Sequence, residues 1–290
     1  VSKTALFVPC EDRKLAKLAS LAVPVAMIDL EDGVSQAHKE AARRLLERSA
    51  PWLYAQQPCW VRVNGFETEQ FYHDLAAAVR PGLLGINLPK AESALQLQIA
   101  DWYLSQLERT QQMPLGSVRL MATIETARGL EAAIDIARST VRLQRLCAGN
   151  ADYSRDLGLD WPAPNGTTSP AVEAFQLRLV QVSAVAGLLP PHDGPSAEFR
   201  NLAAVATEAR AAQQRGFGGK QAIHPAQLSV LEQEFRPAQA QVDWASRVLA
   251  HHRQHPEQGA FQIDGRMVDA PVIARAQQIM DEVSQQEPPD

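Results

Sequence analysis

Eight short apolar segments recur along the chain, at residues 4–8, 25–29, 60–63, 85–88, 119–124, 143–148, 182–188 and 220–223. Between them lie stretches with helical periodicity. Residues 35–48 are rich in Ala, Leu, Glu and Arg, 92–107 are long and amphipathic, and 127–138 follow Glu125 directly. Phe199, Leu202, Ala206 and Ala209 trace one helical face. Proline and glycine punctuate the joins at Pro81-Gly82, Pro89, residues 162–164, Pro190-Pro191 and residues 216–219. Strand–helix alternation implies a parallel sheet. Eight such units close into a (β/α)8 barrel of about 250 residues. The expected fold is therefore α/β, a TIM barrel over residues 1–235. An open doubly wound sheet is disfavoured because no Gly-rich phosphate loop follows the first strand.

Residues 236–290 remain as a C-terminal helical extension or lid. In it, 238–252 and 271–283 read as helices and 259–265 as a turn or short hairpin. Val272, Ile273, Ala276, Ile279, Met280 and Val283 share one side of the second helix. An apolar face needs cover. The expectation is that it packs on its own barrel or, as a domain-swapped element, on a neighbouring subunit.

Composition narrows the function classes. At 290 residues and 46% hydrophobic content the chain can bury a real core. Its net charge is -5 with both signs interspersed, so no basic stripe points to nucleic acid. No apolar run approaches the ~18–20 residues of a membrane span. No secretory leader pattern opens the chain, and its start at Val1 leads us to expect residues before it. Cys10, Cys59 and Cys147 are far apart and odd in number, which favours neither a disulfide framework nor a metal site and makes the cytoplasm the expected compartment.

Catalytic groups of a barrel gather at the C-terminal ends of its strands. Here those ends carry Asp29, Glu31 and Asp32 (strand 2), Arg62 (strand 3), Lys90 (strand 4), Glu125 (strand 5), Asp152 (strand 6), Asp193 (strand 7) and His224 (strand 8). A carboxylate at the end of a buried strand needs a cation or several donors to stay ionised. Glu125 and Asp152, from neighbouring strands, make a natural site for Mg²⁺, which takes one or two protein carboxylates and keeps positions for water and substrate. Any one of these acids could serve instead as a helix N-cap, Asp152 and Asp193 included. The joint pattern of acids on strands 2, 5 and 6 with an arginine on strand 3 points to function. His251 and His255 have i,i+4 spacing but no third ligand and read as a solvated face. His224 reads as a loop-ordering residue and Cys147 as a buried structural thiol.

The motifs Leu6-Phe7-Val8-Pro9, Asp29-Leu30-Glu31-Asp32-Gly33-Val34, Val61-Arg62-Val63-Asn64, Leu88-Pro89-Lys90, Ile124-Glu125-Thr126-Ala127-Arg128-Gly129, Gly149-Asn150-Ala151-Asp152-Tyr153, Gly219-Lys220 with Ile223-His224-Pro225, and Gly265-Arg266-Met267-Val268-Asp269 follow one another in order. In combination the chain resembles the citrate lyase β-subunit-like branch of the HpcH/HpaI aldolase superfamily, which includes malyl-CoA and citramalyl-CoA lyases. The resemblance implies Mg²⁺, with Mn²⁺ as an alternative, on Glu125 and Asp152. It implies that Arg62 meets keto-acid or thioester oxygens and that Asp29, Glu31 and Asp32 hold metal-bound waters. Asp269 would act as acid/base, often from a neighbouring subunit, and Arg13 and Lys17 would meet CoA phosphates. A homo-oligomer, a trimer or a multiple of it, is implied as well. Two departures stand out: Cys10 where the family usually has glycine, and Ala151 where it has glutamate.

The expected activity is cleavage of a 3-hydroxy-3-carboxyacyl-CoA to acetyl-CoA and a 2-keto acid, with (S)-citramalyl-CoA first and malyl- or citryl-type esters next. A CoA-independent pyruvate aldolase would carry a Glu-His pair after strand 2, whereas here the pair is Glu31-Asp32. A non-catalytic or partner-dependent lyase subunit is the third reading, and retention of Asp269 argues against it.

Overall fold

The computed structural model describes residues 3–162 and 168–284, so residues 163 and 164 of the proline-rich join lie outside the described residues. Strands β1 (Thr4–Pro9), β2 (Ala26–Asp29), β3 (Cys59–Arg62), β4 (Gly85–Leu88), β5 (Arg119–Ile124), β6 (Leu143–Ala148), β7 (His192–Asp193) and β8 (Gly219–Ala222) pair in parallel in chain order, and β8 closes on β1. This is a (β/α)8 barrel. Ala5, Met27, Trp60, Met121 and Cys147 form an apolar cluster inside it. Polar side chains appear where β2 and β3 end, at Asp29 and Arg62, which pair in register. The lower part of the barrel is thus sealed by packing, and its C-terminal rim is left for chemistry.

The helices around the barrel are α1 (Asp12–Leu18), α2 (Lys39–Gln56), α3 (Gln70–Ala78), α4 (Ala94–Thr110), α5 (Ala127–Glu131), α6 (Ala133–Ala137), α7 (Asn150–Asp156), α8 (Pro170–Ala186), α9 (Leu202–Arg215) and α10 (Leu228–Glu234). Helix α4 starts on a capping box: Ser93 Oγ accepts from the Gln96 N–H at 3.4 Å, and Gln96 Oε1 accepts from the Ser93 N–H at 3.2 Å. Arg142, just before β6, is buried. It donates through Nη1 and Nη2 to the two oxygens of Glu108 on α4, each at 2.7 Å, and pairs with Asp101 as well. This pins α4 to the base of β6.

Three expectations are corrected. Residues 182–188 are not strand 7 but the C-terminal end of α8 and its stop. Ser169 Oγ accepts from the Val172 N–H, Pro170 occupies the first turn, and Gly187 ends the helix at φ 69. These signals commit the Val-rich run to a helix despite its β-branched residues. The true β7 is the two-residue His192–Asp193, which has no apolar run to reveal it. Residues 127–138 form two short helices that meet at Ala132. Phe199 lies outside α9, whose buried residues are Val205, Ala209 and Ala212.

A second compact unit begins at Phe235. It contains α11 (Gln239–Gln254), the antiparallel hairpin β9 (Phe261–Ile263) and β10 (Arg266–Val268), and α12 (Ala270–Ser284). Ala276 and Ile279 of α12 pack with Ala245, Val248 and Leu249 of α11 and Val268 of the hairpin, and Val272, Ile273 and Met280 border the cluster. The apolar face expected to need the barrel or a neighbour is therefore covered within its own unit, and it supplies no argument for a swap. Among the described residues no helix is long and apolar enough to cross a membrane.

Candidate active site

A cavity at the C-terminal rim is lined by residues from several strand ends, among them Asp29, Asp32, Arg62, Glu125, Asp152 and Gln221. Asp29, the last residue of β2, accepts the N–H groups of Glu31 and Gly33, each at 2.9 Å. These bonds curl the chain into a turn that only glycine can complete, since a Cβ on Gly33 would lie 2.5 Å from Asp29 Oδ2. Asp29 also accepts Arg62 Nε at 2.8 Å and Nη2 at 2.7 Å, a bidentate pair. Arg62 Nη1 lies 2.9 Å from Glu31 Oε2, and its guanidinium stands 4.5 Å from the centre of the Phe7 ring. Burial works against the charge of Arg62, but Asp29, Glu31 and Glu125 outweigh it and hold the guanidinium charged more firmly than usual. Burial pushes the Glu31 carboxyl up, against the pull of Arg62 and Lys90.

The loop after β2 is fixed from behind. Lys39 Nζ donates to the carbonyls of Leu30 and Glu31, and Asn64 Nδ2 donates to the Leu30 carbonyl at 2.9 Å. Asn64 is itself held by the buried Asp74 of α3.

Glu125 follows β5 directly and is 4% exposed. Its Oε1 accepts the Lys90 N–H at 2.8 Å. Lys90 presents that N–H from a left-handed backbone, φ 48, while its Nζ reaches Glu31. Burial, then the negative charges of Glu31 and Asp152, push the Glu125 carboxyl up to about 8. Gly149 backs onto the same carboxylate: a Cβ there would collide with Glu125 Cβ and Oε2. Asp152 sits in the first turn of α7, lines the same cavity and pairs with Arg155 at 2.8 Å.

This donor set fits a hard divalent cation. Glu125 is desolvated, accepts one hydrogen bond among the described residues and faces like charges, so a cation would restore its ionised form. Glu125 and Asp152 offer oxygens only, and among the described residues no group of three or more His, Cys, Asp or Glu side chains is gathered to hold a metal ion by itself. Two carboxylates with space beside them suit Mg²⁺, which keeps water and substrate oxygens in its remaining positions.

The structure thus brings Asp29, Glu31, Asp32, Arg62, Glu125 and Asp152 to one end of the barrel. Asp29 and Glu31 are spent on holding Arg62 and Lys90. Arg13 and Lys17 are exposed on α1 and do not line this cavity. Asp269 lies in the C-terminal unit, half-buried between β10 and α12. His224 accepts the Ala226 N–H through Nδ1 at 3.1 Å and orders its loop. Cys147 is buried in the barrel interior, where burial pushes its thiol up to about 12. No pattern in the sequence points to the roles of Lys90, Asn64 and Lys39. Lys90 acts partly through a backbone N–H, which no side-chain pattern displays.

The HpcH/HpaI aldolase/citrate lyase family matches residues 3–225. Citrate lyase subunit beta of Escherichia coli (strain K12) is 31% identical over 282 residues, covering 96% of this chain and 92% of the relative. The mitochondrial citramalyl-CoA lyase of Homo sapiens is 30% identical over 287 residues, covering 95% and 83%. A crystal structure of the protein CitE from Mycobacterium tuberculosis, in complex with magnesium, acetoacetate and coenzyme A, superposes with a TM-score of 0.80 at 30% identity and covers 98% of each chain.

Proposed function

The chain belongs to the HpcH/HpaI aldolase/citrate lyase family, and from that premise we propose that it is a Mg²⁺-dependent CoA-ester lyase that cleaves (S)-citramalyl-CoA to acetyl-CoA and pyruvate. The observation that carries the reading is the buried Glu125, with its carboxyl pushed up to about 8, beside Asp152 and the Arg62 cluster. Glu125 and Asp152 would hold the cation, which when bound supplies a Lewis acid that makes a chelating hydroxyl easier to deprotonate. Mn²⁺ is an alternative ion.

Arg62 is aimed by Asp29 and Glu31, so its remaining N–H groups can meet oxygens that gain negative charge as the C–C bond breaks. The hydroxyl gives up its proton to water in the cavity, the electron pair of the C–C bond passes to the acetyl carbon, giving an enolate, and the former hydroxyl carbon becomes the ketone of pyruvate. Asp269 delivers the proton that turns the enolate into acetyl-CoA, from a neighbouring subunit of a homo-oligomer. Arg13 and Lys17 meet the CoA phosphates outside the cavity. Asp32 stands where a CoA-independent aldolase would need a histidine base. The barrel over residues 1–235 and the extension over 236–290 divide these tasks, and the enzyme works in the cytoplasm.

A partner-dependent lyase subunit is the second reading, favoured by the likeness to the E. coli subunit. One experiment separates the two. The purified chain is incubated with Mg²⁺ and with citramalyl-, malyl- and citryl-CoA, and keto-acid release is coupled to a dehydrogenase. Release that EDTA abolishes supports the lyase, and the fastest ester identifies the substrate. No release from any ester overturns it.

A further inference from the structure

Gln221 pairs in register with Ala5 and lines the cavity that contains Glu125, Asp152 and Arg62. It is 3% exposed, and among the described residues its Nε2 has no hydrogen-bond partner. Buried amides are nearly always bonded, so a free one that lines a cavity is placed for something that enters. Two neutral polar side chains of the same lining are already bonded. Thr123 Oγ1 donates to Asn87 Oδ1 at 2.9 Å, and Asn150 Nδ2 donates to Asp193 Oδ1 at 2.9 Å. Arg62 spends three of its N–H groups on Asp29 and Glu31, and the rest are left for the oxygens at the breaking bond. Ala5 belongs to the apolar cluster that seals the barrel, so Gln221 stands at the floor of the cavity rather than at its mouth. A CoA thioester must leave its long arm trailing out of the mouth. The floor therefore receives the small acid end of the acyl group.

We propose that Gln221 is a specificity-determining residue whose amide N–H binds a carboxylate oxygen of the 2-keto acid fragment. The identity of that fragment rests on the CoA-ester lyase reading. The amide can turn by half a rotation to present its N–H groups, and it adds a donor without adding charge to a cavity already rich in ions. An aliphatic side chain at this position would leave the oxygen buried and unpaired.

The test is calorimetric titration of pyruvate, with Mg²⁺ present, into the wild-type protein and the Gln221→Met and Gln221→Glu variants. Gln221→Met keeps the volume and should weaken pyruvate binding roughly 10–100-fold, the usual range for losing a hydrogen bond to a charged group, while Mg²⁺ affinity stays unchanged. Gln221→Glu should weaken it further, because an added carboxylate repels the acid. With a CoA ester, the Met variant should raise KM without altering inhibition by free CoA. Thermal unfolding checks that each variant is folded, and the Glu variant decides if the Met variant is not. Undiminished pyruvate binding by either folded variant overturns the proposal, as does a wild-type protein that binds no pyruvate. A wild-type protein that binds pyruvate but cleaves no CoA ester would sink the lyase reading, and the binding ratios would still decide the role of Gln221.

Discussion

Arg62 grips Asp29 through two parallel hydrogen bonds, Nε to Oδ1 at 2.8 Å and Nη2 to Oδ2 at 2.7 Å. The same carboxylate ties the turn to Gly33, so one residue sets both the aim of the guanidinium and the path of the loop. Asp29→Asn keeps the shape and loses the charge and half of the fork. It should cost about 3–5 kcal/mol in denaturant unfolding, as breaking a buried pair does. Turnover should fall on the order of 10²-fold, the cost of misplacing a reacting group by about 1 Å. Mg²⁺ affinity should be retained. Full turnover by the Asp29→Asn variant would show that the aim of Arg62 does not matter.

Glu125 ties stability to pH in the metal-free protein. Its carboxyl stands at about 8 when folded, against 4.5 for an ordinary glutamate. Between those values the folded chain holds a proton that the unfolded chain has lost. Its contribution is complete below about 4.5 and is lost as pH rises through about 8, with a slope of up to about 1.4 kcal/mol per pH unit. Glu125→Gln should flatten this fall and raise the melting temperature at pH 8. Melting curves from pH 5 to 9 in EDTA, identical for the two proteins, would remove Glu125 from the account.

Asp269 is proposed to deliver its proton across subunits. Asp269→Asn should lower kcat roughly 10²–10⁴-fold, the range for one acid/base group, with metal binding intact. Mixing it with inactive Glu125→Gln chains should restore part of the activity, since some interfaces would then carry both native residues. No recovery after demonstrated subunit exchange would place Asp269 in its own barrel or outside catalysis.

Arg142 serves as a contrast. Burial opposes the charge of Glu108, but hydrogen bonds from Arg142 and from the N–H groups of Val118 and Gly116 outweigh it and hold its carboxyl below the ordinary range. That stabilisation is present above the ordinary glutamate range and fades as pH falls through the lowered value. Arg142→Met leaves Glu108 buried without its partner and should cost about 3–5 kcal/mol. The folded fraction should keep its kcat and its Mg²⁺ affinity.

The barrel was legible in the sequence because most of its strands are buried on both faces and so read as short apolar runs. Strand β7 escaped because it is two residues long and neither His192 nor Asp193 is apolar, while the apolar run beside it belongs to α8. The face of α12 was visible, but its partner was not, since nothing in the periodicity says that α11 and the hairpin would fold back on it. Carboxylates at strand ends could be found from the barrel rule alone. Lys90 could not, because half of its action depends on a left-handed backbone, and Gln221 could not, because an uncharged residue inside a strand carries no signal.

A saturation screen for activity would register two kinds of intolerance at this site. Positions such as Glu125 and Asp152 would fail for want of a functional group. Gly149 would fail for the opposite reason, because any side chain there occupies the space that the Glu125 carboxylate fills. A residue with no chemistry of its own would then score like a catalytic one. Shortening the opposing acid to aspartate would not rescue its mutants, because the nearest colliding atom, Glu125 Cβ, would remain.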